Sequence, residues 1–488
     1  MTRKLGRFGE RFCLACAVLF CGMIVLQSLG VSLGVLGVVT LAGALCAAAV
    51  VWLTGRYWTL GEWGTMLVVF VIRFVLALAV ILVVDAQPVQ DFQRMYAAAQ
   101  ELSQGGRGYL NDLYYYKWAY QTGFVVYESL LLRLFGPGQF PLQVMNALWL
   151  GGIGALVSMI AHCLLPRKAA VGVSVLYALY PAPYFLAAVL TNQHIAAFFL
   201  YLAVWLLVRK ERYSLPAALV AGVCIAVGNV MRPIGVIVIL ALACWRGIAL
   251  LQRGWQDWKG EALRLGGVLA GYVLVMSVVS SMIVWTGVNP EGLGNNLPMW
   301  KFAVGLNHES SGSWNQSDYQ IYQLDPVEGV DPTDRELVRE RMEQANEAMA
   351  QEVGSRLAEG PVALGKLAVR KSGVMWGDLE YMFWGFGHLD GQAKLGPLTV
   401  DQYTQILARG DKGVYLAAFA LALVGLAGLF QRGTQGKAGL LLAFLLCGYY
   451  AVHLIVEVQA RYRYFLLPTV FLLAGYGLAS MEQKQQRS

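Results

Sequence analysis

Asp91 lies in the run Asp85-Ala-Gln-Pro-Val-Gln-Asp91-Phe-Gln-Arg94-Met-Tyr96, directly after nineteen almost uncharged residues, Met66 to Val84. The spacing puts this carboxylate at the start of a helix outside the bilayer, where a base would meet a hydroxyl brought to the membrane. Other unusual polar residues stand at the ends of apolar runs: His194, Arg232, Glu457, Arg461 and Arg463, with Lys366 in a long polar segment. One acid among several fixed cations suits an anionic substrate with a phosphate leaving group, because the cations bind the phosphate and stabilise its charge as the bond breaks. Asp85 is the rival acid, but it directly ends an apolar run, where a solvated helix terminus accounts for it. No glycine-rich phosphate loop links a strand to a helix, so the phosphate is expected on a lipid.

These residues need a scaffold, and composition names its class. Hydrophobic residues make up 57% of the 488, only 14% are charged, and mean hydropathy is +0.54, far from a soluble norm of about 25% charged. The chain reads as an all-α polytopic membrane protein. Twelve spans are expected, at about 12–29, 32–53, 66–84, 141–163, 169–187, 194–208, 215–231, 233–250, 265–286, 412–430, 438–456 and 464–481. The chain then divides into three spans (1–84), an exported loop (85–140), six spans (141–286), a larger exported loop (287–411), and three spans with a tail (412–488).

Charge orients the bundle. With the N-terminus cytoplasmic, the inner segments collect eighteen basic residues, among them Arg3, Arg56, Arg167, Arg212, Arg264, Lys437 and Arg487, against six acids, Glu211 among them. Both termini then lie inside, and 24 of the 30 acids lie outside. The net charge of +7 becomes an inner-face effect, and no nucleic-acid partner is implied. The basic start followed by Phe12 to Leu26 imitates a secretory signal, but a second apolar run follows at once, so an uncleaved first span is expected. All eight cysteines fall in or beside apolar runs, which argues against a disulfide framework or a zinc site.

The first exported loop holds an aromatic cluster, Tyr114-Tyr-Tyr-Lys-Trp-Ala-Tyr120, and an interrupted apolar stretch from Phe124 to Phe135 expected to lie along the membrane surface. The cluster reads as an interface belt or as rings on which sugars stack. In the second loop Thr333-Asp-Arg-Glu336 starts a helix running to Leu357, Gly360-Pro361 breaks it, and an amphipathic stretch carries Lys366. Each candidate also has a plain alternative. Arg461, Arg463 and Arg232 would anchor headgroups, His194 would be an interfacial histidine, and Lys366 would snorkel to lipid phosphate. Glu457, four residues before Arg461, would orient it as a helix pair. Arg73, in the middle of the third span, must face a partner or a water-filled cavity, either the donor phosphate or a buried acid such as Glu457.

Taken in order, these pieces resemble a family. Gln90-Asp91 with Tyr96, Ala98 and Gly105; Leu190-Thr-Asn-Gln-His194; Met231-Arg232-Pro233; Gly305-Leu-Asn307 with Gly312-Ser-Trp314-Asn315; Gly360-Pro361 leading to Lys366; and Glu457-Val-Gln-Ala-Arg461-Tyr-Arg463 follow the order found in GT-C membrane glycosyltransferases. The chain resembles in particular glycosyltransferase family 39 and its bacterial relatives, which include protein O-mannosyltransferases and lipid A aminoarabinose transferases. The resemblance implies a GT-C-like bundle, a sugar donor on a polyprenyl phosphate, Asp91 as general base, and inversion at the anomeric carbon. Acceptors in prospect are a protein, a glycolipid or a cell-wall polymer, set among membrane lipids on the outer face of a bacterial cell membrane. A divalent metal serves some relatives, so a metal requirement is open. Two other classes stay in view: a lipid-linked sugar flippase, and a non-catalytic subunit of cell-envelope polymer assembly.

Overall fold

A computed structural model describes residues 2–32, 37–210, 213–321, 331, 333–377, 386, 389–434 and 438–485. The charges at Glu211, Arg212, Lys437 and Arg487 lie outside the described residues. Three long helices open the chain: α1 (Thr2–Ser32), α2 (Gly37–Tyr57) and α3 (Glu62–Val84). The first loop segment then holds α4 (Asp91–Ser103), the single turn α5 (Tyr114–Lys117) and α6 (Thr122–Phe135). The central group is α7 (Phe140–Leu164), α8 (Arg167–Ala178), α9 (Ala182–Ala187), α10 (Gln193–Val208), α11 (Leu215–Met231), α12 (Gly235–Gln252) and α13 (Trp258–Trp285).

The second loop segment folds into α14 (Trp300–Gly305), α15 (Gln316–Ile321), α16 (Arg335–Ala358) and α17 (Pro361–Ser372), with a small hairpin pairing Lys394–Leu395 to Leu398–Thr399. The last group is α18 (Val400–Arg432), α19 (Gly439–Ile455) and α20 (Leu467–Gln485). The chain is therefore an all-α polytopic protein.

Eight of these helices are long and apolar enough to cross a membrane; α10, α11 and α19 are apolar but shorter. Their outer faces carry uncovered large apolar side chains, such as Leu67, Val83, Leu274 and Trp285. An apolar surface that runs over several helices is far larger than a water-facing monomer tolerates, and hydrocarbon is the solvent that suits it.

One expected span, 169–187, is not a continuous helix. It breaks between α8 and α9 at Leu179-Tyr180-Pro181, since Pro181 has no N–H to donate and its ring disfavours helix in the residue before it. Two charges stitch the break. Arg73 of α3 is fully buried and donates to the carbonyls of Leu150 (3.1 Å) and Tyr177 (2.6 Å), with its guanidinium 4.1 Å from the Tyr177 ring centroid. Asp411 of α18 accepts from the Ala182 N–H (3.2 Å) and the Tyr180 hydroxyl (3.3 Å). A cation thus meets the carbonyl end of one helix and an anion the amide end of the next, matching both helix dipoles in a setting without water.

Arg73 therefore serves the backbone of the bundle and lines neither cavity described below. Replacing it with leucine removes two hydrogen bonds from a charged donor, each typically worth about 1.5–3 kcal/mol, and the loss is read as a lowered unfolding midpoint in detergent. An unchanged midpoint would count against this role.

Candidate functional site

At the end of the bundle that carries both loop segments, the two segments are knitted together. Asn289 donates to the Tyr115 carbonyl and the Thr122 hydroxyl, both at 2.9 Å, and the Tyr120 N–H donates to the Gly294 carbonyl at 2.9 Å. α4 presents Phe92, Met95, Ala99 and Leu102 along one face, and these pack into a subsidiary core beneath it. That packing fixes the first turn of α4, where Asp91 sits. The preceding Gln90 has φ +52° and ψ −126°, a strained setting for a residue with a Cβ.

Asp91 lies where two cavities meet. The first, about 480 Å³, is walled by side chains from α4, the 114–121 segment, α14, α15 and the 457–462 segment. The second, about 430 Å³, runs beside α11, α12, α13 and α19 and is the more apolar of the two, with Ile234, Ile237, Met276, Val452 and Val456 interspersed with Asn192, Asn229 and His453. Both reach Asp91, Tyr120, Lys301, Glu457, Arg461 and Tyr462. The Asp91 side chain is 44% exposed there, and its Oδ2 lies 3.8 Å from Nη2 of Arg461, an ion pair without a close hydrogen bond.

Arg461 is almost fully buried against the Phe92 and Tyr462 rings, 5.1 and 5.8 Å from their centroids. Arg232, the residue that ends α11, lies 5.1 Å from the same Tyr462 ring, donates to the Asn192 side chain at 3.2 Å and lines the second cavity.

Glu457 does not orient Arg461 as a helix pair, because residues 457–459 are not helical and Gln459 is extended. The connection runs through Gln459 instead: Arg461 Nε donates to its Oε1 at 2.7 Å, and its Nε2 donates to Glu457 at 2.6 Å. Glu457 itself pairs with Lys301 of α14, side chain to side chain and again through its N–H to the Lys301 carbonyl at 2.8 Å.

Gly305 permits this approach, since a Cβ there would collide with the Ile455 carbonyl and the Glu457 nitrogen. Lys371 of α17, also buried, braces the same loop through the carbonyls of Gly305 (2.5 Å), Leu454 (3.0 Å) and Val456 (2.8 Å). Burial works against charge on both Lys301 and Glu457, but their mutual attraction and hydrogen bond outweigh it, holding the lysine above and the carboxyl below their ordinary values.

The sign of the pH effect follows. A carboxyl lowered on folding stabilises the protein above its ordinary value of 4.5, and that stabilisation is lost as pH falls through the depressed value. The unfolding midpoint should drop in acid more steeply for the native chain than for Glu457→Gln; equal slopes would remove Glu457 as the cause.

Of the residues singled out from sequence, the fold thus gathers Asp91, Glu457, Arg461 and Arg232. His194 is buried away from both cavities, its Nδ1 2.6 Å from the Tyr464 hydroxyl. Arg463 is buried too, donating to the carbonyls of Met375 and Trp376 at 3.3 Å. Lys366 is exposed on α17 and lines neither cavity. Asp85 caps the end of α3 in the left-handed region, in solvent.

Tyr114, Tyr115 and Tyr116 are buried within the protein rather than exposed as a belt, and Trp118 and Tyr120 wall the first cavity. Lys301 escaped sequence reading; its signal is a lone lysine in the aromatic run Met299-Trp-Lys-Phe302. Among the described residues no group of three His, Cys, Asp or Glu side chains gathers to hold a metal ion. No family model and no curated protein matches the chain.

A half-exposed carboxylate beside fixed guanidinium groups, between a polar and an apolar cavity, can take a proton from a hydroxyl on one side and hold an anion on the other.

Proposed function

We propose that the chain is a membrane glycosyltransferase of the GT-C kind, which moves a sugar from a polyprenyl-phosphate donor to an acceptor hydroxyl. The observation that carries this reading is the position of Asp91 at the junction of the two cavities, 3.8 Å from Arg461. The more apolar cavity suits the isoprenoid end of the donor, and Arg232 and Arg461 at its head suit the phosphate.

In the step proposed, the acceptor oxygen attacks the anomeric carbon while Asp91 takes its proton. The bond from that carbon to the phosphate oxygen breaks on the opposite face, the phosphate leaves with the electron pair between the two arginines, and the anomeric configuration inverts. On this reading α10, α11 and α19, together with the α8–α9 pair, bring the crossings to twelve, and the excess of basic residues on the opposite face puts the site outside the cell.

The test uses the full chain reconstituted with a radiolabelled polyprenyl-phosphate sugar. Release of the sugar to an acceptor or to water supports the reading. Intact donor appearing across the bilayer would replace it with a flippase, and donor left untouched on its own side would leave a non-catalytic subunit.

A further inference from the structure

The first cavity has a lining unlike that of a general-purpose pocket. None of its residues is aliphatic: each is aromatic, an amide or charged. Its rings include Trp118, Trp300, Trp314, Tyr319 and Tyr462, and its amides are Gln90, Gln93, Gln121, Gln316 and Gln459. From this lining we infer that the acceptor presented to Asp91 is a saccharide.

A pyranose has C–H faces that pack flat on aromatic rings and a rim of hydroxyls that each donate and accept. A primary amide also donates and accepts, so a wall of rings and glutamines matches a sugar on both counts. A peptide that binds by strand addition needs a free sheet edge. The cavity has no aliphatic pocket, and the sole sheet among the described residues is the two-residue hairpin at 394–399, which does not line it.

The rings are also fixed in advance. Buried Lys117 donates to the Tyr319 hydroxyl at 2.7 Å and lies 5.3 Å from the Trp118 centroid, while Trp300 meets Tyr319 edge-on at 5.8 Å. A platform locked before binding loses little entropy when a flexible glycan settles on it. At about 480 Å³ the space falls within the range of about 300–1,000 Å³ usual for small-molecule sites. Trp314, 49% exposed, stands at the mouth, where a longer chain would leave.

This inference rests on the transferase reading, and two separate measurements keep them apart. The purified full chain in detergent is applied to an array of defined glycans and to an array of serine- and threonine-containing peptides. Hydrolysis of a polyprenyl-phosphate sugar by water is followed in parallel. The expected result is binding to a subset of glycans and to no peptide, with affinity at least 10-fold weaker in Trp118→Ala, Trp314→Ala and Gln316→Leu. Trp314 and Gln316 are exposed, so those two variants should keep the native unfolding midpoint and report on binding alone.

Binding should also persist when undecaprenyl phosphate is added, because the lipid takes the other cavity. No glycan binding, binding unaffected by the three substitutions, peptide binding in its place, or displacement of glycan by undecaprenyl phosphate would each overturn the inference. Glycan binding with no sugar released from the donor, either to the bound glycan or to water, would overturn the transferase reading and leave the saccharide site standing.

Discussion

Asp91→Asn is expected to lower transfer by about 10²- to 10⁴-fold, the usual worth of a positioned general base, with the unfolding midpoint nearly unchanged. Asparagine keeps the shape of the side chain, and its oxygen still accepts hydrogen bonds, but it cannot take the acceptor proton at neutral pH. Asp91 is half-exposed at the cavity junction, and its contact with Arg461 is long, so the substitution removes little from the fold. Transfer from the labelled donor is the measurement. Because the loss belongs to the proton and not to donor binding, it should fall on kcat with KM for the donor little changed. Activity within a few-fold of the native chain would take Asp91 out of the mechanism.

The second large effect is expected at Lys301, through its partner. Glu457 is 2% exposed, so Lys301→Met leaves a buried carboxylate that, among the described residues, keeps Gln459 and Tyr462 as its side-chain hydrogen-bond donors. Removing one member of a fully buried pair typically costs about 3–5 kcal/mol; Lys301 is 38% exposed, and water entering its place reduces the figure to about 2–3 kcal/mol. The double variant Lys301→Met with Glu457→Gln should recover much of that stability, since no charge is left unpaired. It should still transfer poorly, because Gln459 then loses the carboxylate against which it holds Arg461. Equal unfolding midpoints in the single and double variants would show that the pair is not coupled.

Sequence carried the bundle because hydropathy runs report length and solvent, and the described residues put a helix in each apolar run. The one break was written in Tyr180-Pro-Ala-Pro183, but a hydropathy window averages over prolines, so the run looked continuous. The site was legible in part for a related reason. A polar residue within or at the end of an apolar run stands out whatever its task, so Asp91, Arg461, Arg232 and Glu457 were picked out together with His194, Arg463 and Arg73.

Sequence does not say which of these polar groups face a cavity and which satisfy carbonyls or phenol groups inside the protein. In a medium without water the second duty is as pressing as the first. Lys301 went unseen because its partner is 156 residues away, a contact that only the fold creates. The aromatic segment 114–120 read as an interface belt or as rings for a sugar; the second loop packs over it, and Tyr114, Trp118 and Tyr120 become part of a cavity wall.

The cavity junction draws Asp91 from the first loop and Arg461 and Tyr462 from the link between α19 and α20. At about 5–20 residues per second, the ribosome delivers Arg461 roughly 20–70 s after Asp91. On the transferase reading proposed above, a nascent chain until then holds Asp91 and Arg232 but not Arg461, and so would lack a complete site with which to hydrolyse its donor. Termination between Ile455 and Arg461 would leave every helix but the last and yet remove Arg461 from the junction, so on that reading such a chain is expected to be inert.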